Sequence, residues 1–339
     1  MDDTVCTLET VASLDNLLRA ADRARLGKRQ RPDVEAWWLR RETEVLRLHK
    51  ALSDRTWRPS GYRFFEIHDP KRRTIAAAPF GDRVVHHAIC ARLQPLLARR
   101  FIPRSFSCQT GKGTTPARET VRRLTNRHRY VLKCDVRKFY DSIDHATLHE
   151  RLCRVVRCPG VQELIRKLLG SHRTDGRPRA CGLPIGNLTS QLWGNFVLDP
   201  MDHWVTESEC HGAYVRYTDD FLVFGDEKAR LWQLHDGIIG QLAAVHLELA
   251  HPKSRLLACR EGVPFCGFVF RPGLSPRVLG ATKRRHEARV RRLTEAGDFT
   301  KLSRSVFAWY QFSKEGNSCG LRKAWASRRP APARPDEKG

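Results

Sequence analysis

Two adjacent carboxylates, Asp219 and Asp220, are the residues of this sequence whose type and spacing most directly indicate chemistry. They lie between two short apolar runs, at residues 214–215 and 221–224. Apolar, β-prone residues on both sides of a short acidic tip predict a β-hairpin. Two like charges in contact repel each other, and a divalent metal ion bound by carboxylate oxygens would remove that repulsion. An isolated Asp-Asp pair is more often a solvated acidic turn, so a metal site needs support from the rest of the chain.

A third carboxylate, Asp135, directly follows an apolar strand predicted over residues 130–134. The end of a strand can hold a carboxylate rigidly beside the tip of another strand. Together with Asp219 and Asp220, it would supply a cage for two Mg²⁺ ions about 3.5–4 Å apart. Such ions would activate a primer 3′-hydroxyl group and stabilise the pyrophosphate that leaves an incoming nucleotide, while the protein contributes positioning and charge. Asp141 and Asp144 are interpreted instead as helix-capping or ion-pairing residues.

The charge of the chain indicates a nucleic-acid partner. Its 339 residues include 61 Lys and Arg against 37 Asp and Glu, which gives a formal net charge of +24. A positive excess this large favours binding to nucleic acid over binding to an anionic membrane. No run approaches the roughly 20 apolar residues of a membrane-spanning helix, and the first residues lack the order of a signal peptide. The eleven cysteines include no C-x-x-C pair, which favours reduced thiols in a cytoplasmic protein.

The pattern of apolar residues predicts an α+β fold. Predicted helices cover residues 12–54 (with a break at 25–32), 82–97, 144–156, 227–246, 283–292 and 302–310, and predicted strands cover 62–67, 74–78, 130–134, 214–217, 221–224 and 265–270. Residues 111–114 lack the glycine and Ser/Thr spacing of a phosphate-binding loop, which excludes a nucleotide hydrolase of that type. The Pro-rich, charged end of the chain predicts a disordered tail over residues 327–339.

The two acidic sites together match the pattern of a known family. Asp-x-x-x-Phe-Tyr at residues 135–140, followed by Tyr-x-Asp-Asp at 217–220, resembles the palm of reverse transcriptases. The resemblance implies an RNA-directed DNA polymerase with a right-hand fold: fingers, a palm with an antiparallel sheet, and a helical thumb. The implied division is an N-terminal helical segment at 1–54, fingers and palm at 55–270, a basic thumb at 271–326 and the tail at 327–339.

The resemblance also implies roles for individual residues. Those implied to bind two Mg²⁺ ions, or Mn²⁺, are Asp135, Val136, Asp219 and Asp220. Those implied to bind the deoxynucleoside triphosphate are Lys71, Arg73, Tyr140, Ile185, Gly186, Gln191 and Lys253. Those implied to bind the template RNA and the cDNA primer are Lys112, Gly267, Lys283, Arg284 and Arg285.

Within these sets, two assignments have a physical reason, and a third rests on the resemblance alone. Tyr140 matches the aromatic under the nucleotide sugar, where its bulk would clash with a 2′-hydroxyl and select deoxynucleotides; a core aromatic is the alternative. The basic helix that begins near Lys283 would follow the phosphate backbone without reading sequence; a solvated helix face is the alternative. Lys253 resembles the palm lysine proposed to protonate the leaving group.

The loop at residues 182–191 distinguishes between groups of reverse transcriptases. Most members have Pro-Gln-Gly and Ser-Pro there, whereas this chain has Pro-Ile-Gly at 184–186 and Ser-Gln at 190–191. This variant resembles the enzymes of diversity-generating retroelements, which implies copying of a template-repeat RNA with low fidelity at adenines and a partner accessory variability protein, usually a pentamer. Ile185 removes an amide near the nascent base pair, and an aliphatic side chain gives less directional selection. An Ile185 that merely packs is the alternative.

Two other functions remain open at this point. A group II intron, retron or phage-defence reverse transcriptase would usually carry Gln at position 185. A catalytically inactive RNA-binding scaffold is disfavoured, because all three acidic positions carry a carboxylate.

Overall fold

The computed structural model describes residues 6–68, 72–207, 213–250 and 254–326. Its helices are α1 (Leu8–Ala12), α2 (Leu14–Arg25), α3 (Pro32–Leu39), α4 (Arg41–Ser53), α5 (Phe80–Ala98), α6 (Thr114–Arg127), α7 (Phe139–Ser142), α8 (His145–Val155), α9 (Pro159–Gly170), α10 (Leu188–Glu207), α11 (Lys228–Ala243), α12 (Gly280–Glu295), α13 (Phe299–Ser313) and α14 (Cys319–Ala326). Its strands are β1 (Arg63–His68), β2 (Arg72–Ala77), β3 (Tyr130–Asp135), β4 (Tyr214–Tyr217), β5 (Asp220–Gly225), β6 (Arg255–Ala258), β7 (Val263–Phe265), β8 (Phe268–Phe270) and β9 (Arg277–Val278). The described residues form two compact units: those within 6–117 and 130–256, and those within 118–129 and 257–326.

The N-terminal helices pack against α5 through small apolar side chains. Leu17 and Ala24 of α2 lie two turns apart on one face of the helix, and both are buried. Asn16 is buried between the helices, where its Nδ2 donates to the carbonyl oxygens of Val11 at 2.9 Å and Ala88 at 3.1 Å. The predicted helical N-terminal region is confirmed, as is its break between α2 and α3.

In the first unit, strand β5 pairs antiparallel with both β3 and β4. Residues 221–224 of β5 are buried, and helix α11 packs against β3 and β5. The predicted hairpin of β4 and β5 is confirmed, with a shifted turn. Because β5 begins at Asp220, the turn consists of Thr218 and Asp219 instead of the two carboxylates.

Three further predictions are confirmed in the first unit. Strands β1 and β2 form a two-stranded antiparallel hairpin. Helices α5 and α11 cover the predicted segments at 82–97 and, in large part, 227–246. Asp144 is the N-cap of α8, where its carboxylate accepts a hydrogen bond from the backbone N–H of Thr147 at 2.8 Å. A capping carboxylate at this position explains why Asp144 is not part of the acidic site.

In the second unit, β7, β8 and β9 form an antiparallel sheet. The strand prediction at 265–270 is confirmed in part: residues 265 and 268–270 lie in β7 and β8, but Cys266 and Gly267 have φ values of +41° and +85° and turn the chain between the two strands. A positive φ at a residue other than glycine is uncommon, and an apolar pattern gives no sign of it. Helices α12 and α13 confirm the two predicted helices, and His286 of α12 stacks on Trp309 of α13 with ring centroids 4.3 Å apart.

No helix in the described part of the chain is long and apolar enough to cross a membrane. The cysteines within the described ranges are free thiols. The predicted tail lies outside the described residues, and the predicted domain limits stay predictions.

Candidate active site

The two acidic segments meet at the end of the β3–β5 pair. Asp135 and Asp220 are direct neighbours on the paired strands, so their side chains lie on the same face. The backbone N–H of Val136 donates to the carbonyl oxygen of Asp219 at 3.2 Å, and the carbonyl oxygen of Asp135 accepts from the N–H of Ala250 at 2.8 Å. The three carboxylate residues are half-buried. Backbone hydrogen bonds therefore hold Asp135 and the following residue Val136 from two sides, next to Asp219 and Asp220.

The turn that carries Asp219 has a strained backbone. Thr218 has a φ of +59°, in the left-handed region that costs a residue with a Cβ roughly 1–2 kcal/mol. Two hydrogen bonds hold it there. The Oγ1 of Thr218 donates to the Oγ of Ser107 at 2.9 Å, and the Nη1 of Arg216 donates to the carbonyl oxygen of Thr218 at 2.9 Å. The surroundings of the turn therefore determine where Asp219 lies.

A buried ion pair lies directly behind this turn. The side chains of Arg216 and Asp202 are both 0% exposed. The Nε of Arg216 donates to the Oδ1 of Asp202 at 2.7 Å and its Nη2 to the Oδ2 at 2.5 Å. Its Nη1 also donates to the Oδ1 of Asn195 at 3.0 Å, and the hydroxyl of Tyr214 donates to Asp202 at 2.7 Å. Burial lowers the pKa of Arg216, but Asp202, Tyr214 and Asp199 together raise it by more, so the pKa lies above its usual value and the guanidinium stays charged.

This pair is absent from the predicted site, although the sequence contains a signal for it. Arg216 stands in the middle of a short, otherwise apolar strand, and Asp202 stands in a largely apolar helix. Charges in such positions are stable only when they are paired. Each residue therefore indicates a buried partner of opposite charge, although the sequence does not show which residue that partner is.

Lys133 is a second residue that the sequence analysis missed. Its ammonium group forms an ion pair with the Oδ1 of Asp220. Lys133 lies two residues before Asp135, so the two side chains share one face of β3. The two-residue period of the strand is the signal that could have placed this cation at the acidic site.

The donor atoms at the end of β3 fit a hard divalent cation. Mg²⁺ prefers carboxylate oxygens, and the three half-buried carboxylates lie on two paired strands and the adjoining turn. Within the described ranges, no group of three or more His, Cys, Asp or Glu side chains is already arranged as a metal site. Asp220 is instead paired with Lys133.

Tyr140 lies within electrostatic reach of the acidic turn. Burial raises the pKa of its phenol, the neighbouring Cys108 and Asp219 raise it further, and Arg73 lowers it. The ring also packs closely on α10, since a Cβ at Gly194 would lie 3.2 Å from a carbon of the Tyr140 ring. The structure thus brings Arg73 of β2, Tyr140 of α7 and the catalytic candidate Asp219 into one region.

The loop that contains Ile185 is fastened to β2 by its backbone. The carbonyl oxygen of Ile185 accepts a hydrogen bond from the N–H of Ala76 at 3.3 Å. Gly186 has a φ of +109°, and a Cβ there would lie only 3.2 Å from a side chain of β2. Gln191 is exposed in the first turn of α10. The predicted nucleotide-binding residues Ile185, Gly186 and Arg73 are therefore on adjoining segments.

The remaining predicted residues lie elsewhere or outside the described ranges. The ammonium of Lys112 donates to the carbonyl oxygens of Ile102 at 3.1 Å and Ser105 at 2.8 Å, and burial lowers its pKa. Lys112 therefore stabilises the loop that contains it. Its contact with nucleic acid stays a prediction. Lys71 and Lys253 lie outside the described residues.

In the second unit, Gly267 forms the tight turn between β7 and β8. A Cβ at Gly267 would lie 2.7 Å from the ring of Phe312, so α13 packs directly on this turn. Lys283, Arg284 and Arg285 lie in α12, where Arg284 and Arg285 are exposed and Lys283 is half-buried.

The chain is similar in sequence to known proteins. Residues 67–270 match the family model described as "Reverse transcriptase (RNA-dependent DNA polymerase)". Protein YkfC of Escherichia coli is 24% identical over 238 residues, which covers 58% of this chain and 62% of that protein. The group II intron-encoded protein LtrA of Lactococcus lactis is 23% identical over 172 residues, which covers 49% of this chain and 29% of that protein. The matches thus span less than two thirds of the length of either relative.

Among solved structures, telomerase from Candida albicans in complex with a fragment of telomeric RNA is similar to this chain. The TM-score is 0.48 with 13% sequence identity, and the match covers 66% of this chain and 46% of that one.

Proposed function

The chain belongs to the reverse transcriptase family, and from that premise we propose that it is an RNA-directed DNA polymerase of the diversity-generating type. Its helices and antiparallel strands form the α+β right-hand polymerase fold of the family. The observation that carries the polymerase proposal is the register that sets Asp135 opposite Asp220, with Asp219 in the adjoining turn. Three acidic residues on neighbouring backbone positions support a two-metal nucleotidyl transfer.

Each residue of the site has a separate task in that reaction. Asp135, Asp219 and Asp220, with the backbone of Val136, would hold two Mg²⁺ or Mn²⁺ ions. When bound, these ions supply activation of the primer 3′-hydroxyl and neutralisation of the departing pyrophosphate. The protein itself orients the substrates and excludes wrong ones: Tyr140 would limit the space beside C2′ of the sugar, which disfavours ribonucleotides.

Charged groups around this centre would hold the other substrate parts. Arg73, which interacts electrostatically with Tyr140, would bind the triphosphate together with Lys71, and Lys253 would protonate the leaving group. In the second unit, Lys283, Arg284 and Arg285 would bind template and primer phosphates, as Lys112 would in the first unit. Gly267 would contact the primer.

Primer extension on an RNA template tests the polymerase proposal. Asp219→Ala and Asp220→Ala are each expected to lower kcat by at least about a hundredfold, since preorganised charge at a reacting centre has effects of this size. Asp141→Ala is the matched control, because it removes a neighbouring carboxylate that has no role in the proposed site. Undiminished synthesis by both variants would contradict the assignment of the metal site.

The diversity-generating type is supported by Ile185 and Gln191. The carbonyl oxygen of Ile185 accepts the backbone hydrogen bond that attaches the loop to β2. Because this bond does not depend on the identity of the side chain, Ile185→Gln keeps it. We expect this variant to make fewer errors opposite template adenines than the parent, measured by sequencing cDNA from a defined RNA. Equal error spectra would remove Ile185 from the mechanism.

The proposed partners follow from the same assignment. They are a template-repeat RNA, the cDNA primer, deoxynucleoside triphosphates and a small basic accessory variability protein that forms a pentamer. We propose that the enzyme acts in the cytoplasm, where the free thiols of the described cysteines would stay reduced. Near-identical repeats that differ at adenines, in the DNA beside the gene, would support this biology.

A group II intron-type reverse transcriptase is the second candidate. The similarity to the group II intron-encoded protein of L. lactis favours it. Intron sequences flanking the gene, without a pair of adenine-variant repeats, would decide for this candidate.

A further inference from the structure

We infer that Arg216 is a positioning residue that fixes the turn carrying Asp219, and that Asp202 and Asn195 of helix α10 hold Arg216 for this task. The inference rests on the proposed polymerase function, because Asp219 is taken as a catalytic carboxylate. Arg216 itself touches no substrate in this assignment, since its side chain is fully buried.

The donor geometry of Arg216 supports this role. Its guanidinium donates to Asp202 through Nε and Nη2 and to Asn195 through Nη1. The same Nη1 donates to the carbonyl oxygen of Thr218 at 2.9 Å. The guanidinium is rigid and planar, so its bonds to Asp202 and Asn195 of α10 also fix the direction in which Nη1 donates toward the turn. This rigid donor in turn fixes the position of the Thr218 carbonyl oxygen.

The turn is held from its other side by the segment before Cys108. The N–H of Phe106 donates to the carbonyl oxygen of Arg216 at 3.0 Å, and the Oγ of Ser107 accepts from Thr218. Asn195 completes the link, since its Nδ2 donates to the carbonyl oxygen of Ser107 at 2.6 Å. The catalytic turn, this segment and α10 therefore share one hydrogen-bond network.

Helix α10 also contacts the parts of the site that would select the nucleotide. It begins at Leu188, three residues after Ile185, and at Gly194 it packs on Tyr140. Loss of the Arg216 network is expected to move the turn while α10 and the nucleotide pocket stay in place. The affinity for the metal ion and kcat should then fall, whereas the KM for the nucleotide should stay unchanged.

Arg216→Lys tests this inference. Lysine keeps a positive charge for Asp202 but cannot donate to Asp202, Asn195 and Thr218 in the same geometry. We expect Mn²⁺ binding to the enzyme without substrates, measured by electron paramagnetic resonance, to weaken about tenfold, the effect of roughly one charge-assisted hydrogen bond. The value of kcat should fall with a nucleotide KM within about twofold of the parent.

Arg151→Lys is the matched control. Arg151 also binds α10, through the carbonyl oxygens of Val197 at 2.7 Å and Phe196 at 2.9 Å, but the structure gives it no contact with the turn. The same Arg-to-Lys change there should lower stability without altering Mn²⁺ affinity. Thr218→Val is a second test, since it removes the hydroxyl bond to Ser107 and leaves the buried ion pair intact.

The outcomes separate this inference from the proposed function. If the parent binds no Mn²⁺, or if Asp219→Ala changes neither binding nor synthesis, the proposed function fails. If Asp219→Ala abolishes binding but Arg216→Lys and Thr218→Val bind Mn²⁺ as the parent does, the positioning role is wrong. The same conclusion follows if Arg151→Lys weakens binding equally. Should Arg216→Lys not fold, Asn195→Ala decides, because it removes the Oδ1 that accepts from the Nη1 of Arg216 and leaves the ion pair with Asp202 in place. Mn²⁺ binding equal to that of the parent would then contradict the positioning role.

Discussion

Asp202→Ala is expected to destabilise the first unit by about 3–5 kcal/mol, because it leaves the charged guanidinium of Arg216 buried without its carboxylate. The structure supports a value in this range. Two charge-assisted hydrogen bonds, at 2.7 and 2.5 Å, are lost, each worth about 1.5–3 kcal/mol. The bond from Tyr214 is lost as well. For a unit of this size the loss corresponds to a fall in melting temperature of about 6–20 °C.

Urea unfolding followed by tryptophan fluorescence measures this loss, with Trp193 as a buried reporter on α10. The double variant Asp202→Leu with Arg216→Met is the informative comparison. Replacing both charges by apolar groups is often neutral or stabilising, so the double variant should recover most of the stability. It should still synthesise DNA poorly, because the carbonyl oxygen of Thr218 has lost its donor. A cost below about 1 kcal/mol for Asp202→Ala, or a double variant as unstable as the single one, would refute the reasoning.

Three further predictions concern other parts of the first unit. Tyr140→Val should raise the incorporation of ribonucleotides relative to deoxynucleotides; an unchanged ratio of kcat/KM for GTP and dGTP would exclude the steric role. Asp144→Ala should lower the stability measured by calorimetry by about 1 kcal/mol through loss of the α8 cap, and Asp144→Asn should retain most of it. Burial, and then the neighbouring His87, lower the pKa of His86 to about 3, below its unfolded value of about 6.5. The unfolded state therefore binds more protons, and stability should be lost as pH falls from 6.5 toward 3, a dependence that His86→Gln should flatten.

The sequence predicted the elements that have a simple period. The apolar pattern predicts the strand that ends at Asp135 and the two strands that flank Asp219. It therefore also predicts that these carboxylates lie at strand ends, where the backbone holds them rigidly. The turn was displaced by one residue, because a positive φ at Thr218 depends on contacts with Ser107 and Arg216 that are remote in sequence. The same limit explains why the apolar pattern at 265–270 shows no turn at Cys266.

Arg216 shows why the rest could not be predicted in the same way. A binary pattern treats arginine as solvent-facing, and its carboxylate partner Asp202 lies on another element, fourteen residues earlier. A single charged residue in a strand is exposed or buried in an ion pair depending on which helix packs on that strand. This packing is part of the tertiary structure, and local sequence propensity does not predict it.

Lys133 links the folding of the site to its chemistry. Carboxylates directly opposite each other on antiparallel strands destabilise the pair, and Asp135 and Asp220 stand in that relation. With Asp219 beside them, the three carboxylates have a formal charge of −3, which the Lys133 ammonium reduces to −2. The ion pair between Lys133 and Asp220 therefore offsets part of the repulsion and lets the two strands pair in the register that the proposed reaction needs. A single monovalent cation leaves net negative charge at the site, so the attraction for divalent ions is preserved. Lys133 thus satisfies two requirements that oppose each other: a stable strand pair, and a strongly acidic strand end.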